Sequence, residues 1–138
     1  MPAGRRPFPL AHLVPPLLRD VILDFHWDHE QLWKLDLTPT EIPVAELAWH
    51  LELPLWTHGG HPFVVSPAEV AADPDRFRAQ YARTLAADLS HPLHLLDRRD
   101  RLTILDGTHR LLKARLLGYE TLRAVKVPME RLDDIAVR

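Results

Sequence analysis

ILDGTHRLLKARLLG, residues Ile104 to Gly118, decides how this chain is read. Ile104 and Leu105 end an apolar run, Asp106-Gly107 interrupts it, and THRLLKARLLG continues with a helical rather than an alternating pattern. The stretch predicts a strand that turns into a helix over Thr108 to Leu117. Gly118 suits the left-handed position that follows a helix. A second reading stays open, because Asp-Gly is also the commonest hairpin turn and a threonine there also serves as a plain helix cap.

A helix start presents unpaired backbone N–H groups and partial positive charge, so the turn Asp106-Gly107-Thr108-His109-Arg110 is an anion site in outline. Gly107 lets the backbone approach a phosphate closely, Thr108 offers a hydroxyl, and His109 and Arg110 add donors. Lys113, one turn on, adds positive charge. Asp106 opposes that charge and is suited to holding a metal ion or orienting a substrate hydroxyl.

Working outward, the runs Pro92 to Leu96 and Leu102 to Leu105 flank the charged turn Asp97-Arg98-Arg99-Asp100, which predicts a hairpin. Thr121 to Val127 alternates partly and predicts a closing strand. Upstream, Ser66-Pro67-Ala68-Glu69 carries an N-cap serine, a proline in the first turn and an early acid, so a short helix is expected as far as Asp73-Pro74. A longer helix from Asp75 to about Leu89 is expected to bury Phe77, Tyr81 and Leu85. Trp49 to Pro62 has a Gly-Gly pair and no helical period, and is expected to be a long structured loop. Glu41 to Val44 predicts an edge strand, since Pro43 interrupts it. Pro16 to Trp33 predicts an amphipathic helix, broken around His26 to Asp28.

The 138 residues suit one domain, and 46% hydrophobic with 26% charged residues places the chain among folding sequences. Thirteen prolines against five glycines imply short elements with stiff connections. A formal net charge of −2 supplies no global field for DNA, so direct DNA binding is not expected. The absence of cysteine removes disulfides, thiolate metal sites and cysteine nucleophiles. The N-terminus lacks the form of a signal peptide and no apolar run approaches membrane length, so a cytoplasmic location is the expectation.

Other residues carry two readings each. Nine histidines include the pairs His26/His29, His58/His61 and His91/His94, which either bind zinc or line a polar surface; no metal site is assigned. Trp27, Trp33, Trp49 and Trp56 either pack the N-terminal segment on the sheet or form a wall for a base or partner. Arg76 and Arg83 either assist phosphate binding or are solvated.

The segment Ala87 to Pro128 resembles the core of the ParB and sulfiredoxin superfamily, in which a strand runs into Asp-Gly-x-His-Arg, a helix ends in Leu-Gly and a further strand follows. Ile42-Pro43-Val44-Ala45-Glu46-Leu47 resembles that family's opening strand and its Val-x-x-Leu signature. The resemblance covers about two thirds of the chain. It implies nucleotide binding, with phosphate contacts from Gly107, Thr108, His109 and Arg110, and ATP, ADP or CTP with magnesium as cofactor. Sulfiredoxin has its reactive cysteine where this chain has Thr108, so its redox repair is not expected. Partition proteins continue into helix-turn-helix and dimerisation domains that are not seen before Arg138, so segregation is not expected. Similarity to the free serine kinases implies an acidic base in the loop after the first strand, where Glu52 stands with Glu46 and His50 as neighbours.

The expected fold is thus α/β (α+β): a small mixed β-sheet with packed helices, ParB/sulfiredoxin-like over 39–138, with an N-terminal helical extension over 1–38. The expected function is a nucleotide-dependent phosphotransferase or hydrolase acting on a small hydroxyl-bearing substrate, with Glu52 and Asp106 as catalytic residues. The alternative is a non-catalytic, nucleotide-responsive module with a protein partner or a second copy.

Overall fold

The computed structural model describes residues 4–138. In chain order its elements are α1 (His29–Trp33), β1 (Thr40–Pro43), α2 (Val44–Leu47), β2 (Trp56–His58), β3 (His61–Val65), α3 (Pro67–Ala72), α4 (Arg78–Ala86), β4 (Leu93–Asp97), β5 (Leu102–Asp106), α5 (Thr108–Leu116) and β6 (Thr121–Pro128). Short 3₁₀ segments occupy Ala11–Leu13, Pro16–Leu18, Ala48–Glu52 and Met129–Asp134.

Four strands form one mixed sheet in the order β1-β6-β4-β5. β6 is antiparallel to β1 and parallel to β4, while β4 and β5 form the antiparallel hairpin read from the charged turn. Parallel strands need a crossover, and α5 supplies it between β5 and β6. The central strand β6 buries Leu122 and Ala124 on the helix-covered face and Val125 and Val127 on the other. That two-sided burial explains why its alternation is blurred in the sequence.

Leu47, Val70, Phe77, Leu111, Leu112 and Ala114 pack with Leu93, Leu95 and Ile104 in the larger core. The opposite face is closed by the chain ends: Leu23, Phe25 and Leu32 from the N-terminal side, and Leu132 and Ile135 from the C-terminal side, meet Leu96, Val125 and Val127. Backbone bonds tie these ends together, with Val137 N–H donating to His26 O at 2.8 Å and Arg6 N–H to Val137 O at 2.9 Å.

The N-terminal segment departs from the expected amphipathic helix. Pro16–Leu18 is a single 3₁₀ turn, the chain then runs irregularly with an isolated bridge at Phe25, and helix resumes only at His29, capped by the Asp28 side chain accepting from Glu30 N–H. From Asp24 to Asp28 the backbone pairs with Arg6 to Phe8 on one side and with Ile135 to Val137 on the other, and this pairing competes with helix there and wins.

Trp49 to Pro62 also departs from a loop. His50 and Leu51 are buried in the Ala48–Glu52 turn, and β2 and β3 form a second, two-stranded sheet. Gly59 and Gly60, at φ 59° and 79°, make the tight turn between them, because both central residues of a turn matched to strand twist need positive φ.

α4 is shorter than expected; Phe77 and Tyr81 meet the core as expected, but the inward face takes in polar residues and leaves Leu85 out. Phe77, Gln80 and Thr84 are buried, whereas Leu85 is 53% exposed. Gln80 and Thr84 tolerate burial because each is bonded: Thr84 Oγ1 donates to Gln80 O, and Gln80 Nε2 donates to Thr57 O, both at 3.0 Å.

Because the N-terminal segment completes the second core, replacing fully buried Leu32 with alanine should lower unfolding stability by about 2–5 kcal/mol. Urea denaturation followed by far-UV circular dichroism checks this; unchanged global stability would mean that residues 4–38 are an appendage.

Candidate functional site

The turn that leads into α5 is built by a β-bulge. Leu95 pairs with Ile104, but His94 pairs with Asp106, so Leu105 is an additional residue in β5. In unbroken register Asp106 would lie opposite Leu93 and point toward the helices. The bulge instead puts Asp106 on the face of His94, under the N-terminal segment, because cross-strand partners share a face. There its Oδ2 accepts from Trp33 Nε1 at 3.0 Å and from Arg110 Nη2 at 3.1 Å.

Gly107 then takes φ 119°, a left-handed conformation that reverses the chain into α5. A Cβ at this position would stand 2.7 Å from Leu93 Cγ, so close approach to β4 and positive φ both require glycine. Among the described residues no side chain caps the start of α5. Its first-turn N–H groups therefore retain the donor capacity and partial positive charge of a helix N-terminus.

The side chains around this start are held by internal partners. Thr108 Oγ1 accepts from Trp56 Nε1 at 2.9 Å, which leaves the hydroxyl proton available as a donor. The His109 ring stacks on Trp56 with centroids 4.1 Å apart and planes at 4°. Gln80 gives its amide nitrogen to Thr57 O, so its Oε1 faces His109 and accepts from Nε2–H at 2.7 Å. His109 is thereby set in one tautomer, with Nδ1 as an acceptor. Arg110 donates from Nη1 to Pro92 O at 2.6 Å and His91 O at 3.1 Å while pairing with Asp106. Lys113 Nζ donates to Leu85 O and Ala87 O at 2.8 and 2.7 Å, which covers the carbonyl end of α4.

Asp106, Gly107, Thr108, His109 and Arg110 thus come together in one turn as expected from sequence, with Lys113 turned away to α4. Glu52 is exposed at the end of the Ala48–Glu52 turn, and among the described residues no hydrogen bond joins it to the Asp106–Arg110 turn. Trp33, Trp56, Gln80 and His94 complete the surroundings and were not singled out individually as site residues by sequence. The tryptophans hold separate places rather than one cluster: Trp56 is buried in the main core, Trp27 packs against the second, Trp49 lies under Arg101 with its ring 4.4 Å from the guanidinium carbon, and Trp33 is exposed. Arg76 precedes α4 and lies over Phe77, so it does not share a helix face with Arg83.

No group of three or more histidine or acidic side chains fit to hold a metal occurs among the described residues. His58 and His61 are cross-strand partners at the Gly-Gly turn, and His94 is buried while His91 is exposed. His50 has a structural task, donating from Nδ1 to Leu47 O and accepting the Ile104 N–H of edge strand β5 at Nε2. Among the described residues, no helix is long and apolar enough to cross a membrane. Comparison with protein-family models, curated proteins and solved structures gives no match to this chain.

Burial pushes the His50 and His109 imidazoles down to about 4, with the Arg101 and Arg83 charges respectively acting in the same direction, and burial also lowers His94. Their folded-state values lie below the ordinary value of 6.5, so the unfolded chain binds more protons in this range. The stabilisation is complete above about pH 6.5 and is lost as pH falls toward about 4. Urea denaturation should show stability falling between pH 6.5 and 5 with a limiting slope of about 1.4 kcal/mol per pH unit for each such histidine. A flat profile over that interval would mean that these rings protonate freely in the folded protein.

Proposed function

We propose that this chain is a nucleotide-binding domain that seats the phosphate end of its ligand on the start of α5. The observation that carries this reading is the uncapped helix start behind Gly107, where a left-handed glycine leaves the backbone open. The Thr108 hydroxyl proton adds a side-chain donor, and Arg110 adds positive charge beside the turn, whereas Lys113 is committed to the carbonyl end of α4. The sequence resemblance to the ParB and sulfiredoxin superfamily supports ATP, ADP or CTP with magnesium as the ligand class.

Of the two forms this function takes, the geometry favours a nucleotide-responsive module over a phosphotransferase. General-base catalysis needs a carboxylate within reach of the acceptor hydroxyl. Asp106 points to the face of the N-terminal segment and is held by Arg110 and Trp33, and Glu52 is exposed, with no bond to the turn among the described residues. In a module of this kind, nucleotide occupancy alters how the domain meets a protein partner or a second copy.

Isothermal titration with ATP, ADP and CTP in the presence of magnesium should give saturable binding by at least one nucleotide. Thr108→Val should weaken it by about tenfold through loss of one charge-assisted hydrogen bond, and Glu52→Gln should leave it unchanged. Nucleotide turnover by the wild type that Glu52→Gln abolishes would restore the phosphotransferase or hydrolase reading. Absence of binding in folded protein would overturn the nucleotide reading altogether.

A further inference from the structure

Trp33 is the feature that the fold does not account for. It carries the largest apolar side chain in α1, yet it is 57% exposed, while Leu32 beside it is fully buried. An indole left in water usually has freedom to move, but this one is fixed by its Nε1–H, which donates to Asp106 Oδ2 at 3.0 Å. The same oxygen accepts from Arg110 Nη2, so the indole edge and the guanidinium meet at one atom, next to Gly107 and the start of α5. The His29 ring supports it from within the helix, with centroids 6.0 Å apart, and Trp27 lies 4.4 Å behind His29. These contacts hold an aromatic plate at the edge of the turn and leave much of its surface open.

A second observation comes from the same end of the sheet. His94, opposite Asp106, is only 8% exposed, and its Nδ1 has no hydrogen-bond partner among the described residues. Buried polar atoms in folded proteins are almost always paired, so this face has a polar demand that the chain itself leaves unmet.

Resting on the proposed nucleotide reading, we infer that Trp33 is the base-stacking wall of the site. The phosphates lie on the α5 start and the heterocyclic base lies flat on the indole. A stacking platform accepts any base, since every base has a π-face, and it discriminates against phosphates that carry none. Selectivity for a nucleotide over a bare polyphosphate therefore belongs to the N-terminal segment, outside the 39–138 region that carries the phosphate turn.

The test compares magnesium ATP and CTP with magnesium tripolyphosphate on the wild type, Trp33→Ala and Trp33→Phe, each confirmed folded by circular dichroism. In the wild type the nucleotides should bind about tenfold tighter than tripolyphosphate and quench tryptophan emission. Trp33→Ala should bring nucleotide affinity down to near that of tripolyphosphate, with a change in tripolyphosphate affinity of no more than about twofold through the shared Asp106 oxygen. Trp33→Phe, which keeps a ring but loses the N–H, should retain most of the preference. Equal binding of nucleotide and tripolyphosphate by the wild type, or an intact preference in Trp33→Ala, would overturn the stacking wall and leave the phosphate site standing. Failure of every ligand to bind the folded wild type would overturn both readings.

Discussion

The left-handed backbone at Gly107 is the constraint on which the rest of the molecule depends. Strand β5 must end and α5 must start within one residue, while the turn presses against Leu93 of the neighbouring strand. Only a residue without a side chain meets both conditions. Once the turn forms, α5 lies along the sheet and places Leu111, Leu112 and Ala114 in the core, and its length brings the chain back for β6 beside β4. That crossover makes β4 and β6 parallel neighbours at the centre of the sheet, β1 adds to the far edge of β6, and the chain ends cover the face away from α5.

Arg110 then locks the turn from beneath. Two carbonyls before β4 and the Asp106 carboxylate receive its donors, and the pair is well shielded, with 14% of the arginine side chain and 22% of the aspartate exposed. Removing one partner of such a pair is far costlier than removing an exposed ion pair, because the other charge is left without compensation. Arg110 thus contributes to any phosphate site chiefly by holding the turn in shape and by its positive charge. In the proposed phosphate site, the hydrogen bonds to the ligand are assigned to the first-turn N–H groups of α5 and to the Thr108 hydroxyl.

Much of this was legible from residues Leu93 to Pro128, because local signals there agree with the tertiary structure. The charged hairpin turn, the Asp-Gly break and Gly118 at φ 78° each mark an element end that the fold keeps. The N-terminal third was misread for a physical reason. Leu18, Val21 and Phe25 are all buried, but from single turns and irregular chain that pairs with other terminal residues, and periodicity does not separate that from a helix. In α4 Phe77 and Tyr81 meet the core as their spacing implies, but Gln80 and Thr84 rather than Leu85 complete the inward face, and a buried glutamine gives no apolar signal. The five-residue turn of the site was visible in one stretch, whereas its partners Trp33, Trp56 and His94 arrive from distant parts of the chain. Their convergence depends on pairing register, including the bulge at Leu105, which no single-sequence pattern encodes.

That bulge also connects the two faces of the sheet. Asp106 belongs to the turn by sequence but bonds to the N-terminal segment by geometry, so the α5 start and α1 share one carboxylate oxygen. An anion approaching the helix start adds negative charge beside Asp106 and strengthens the demand on Arg110, which in turn alters the balance between Arg110 and Trp33 at that oxygen. Because Trp33 is exposed, a change in that balance alters a surface feature rather than the core. A ligand-responsive module needs differential interaction with two surface states, and this shared oxygen gives a short physical route from the proposed phosphate site to the outside of the protein.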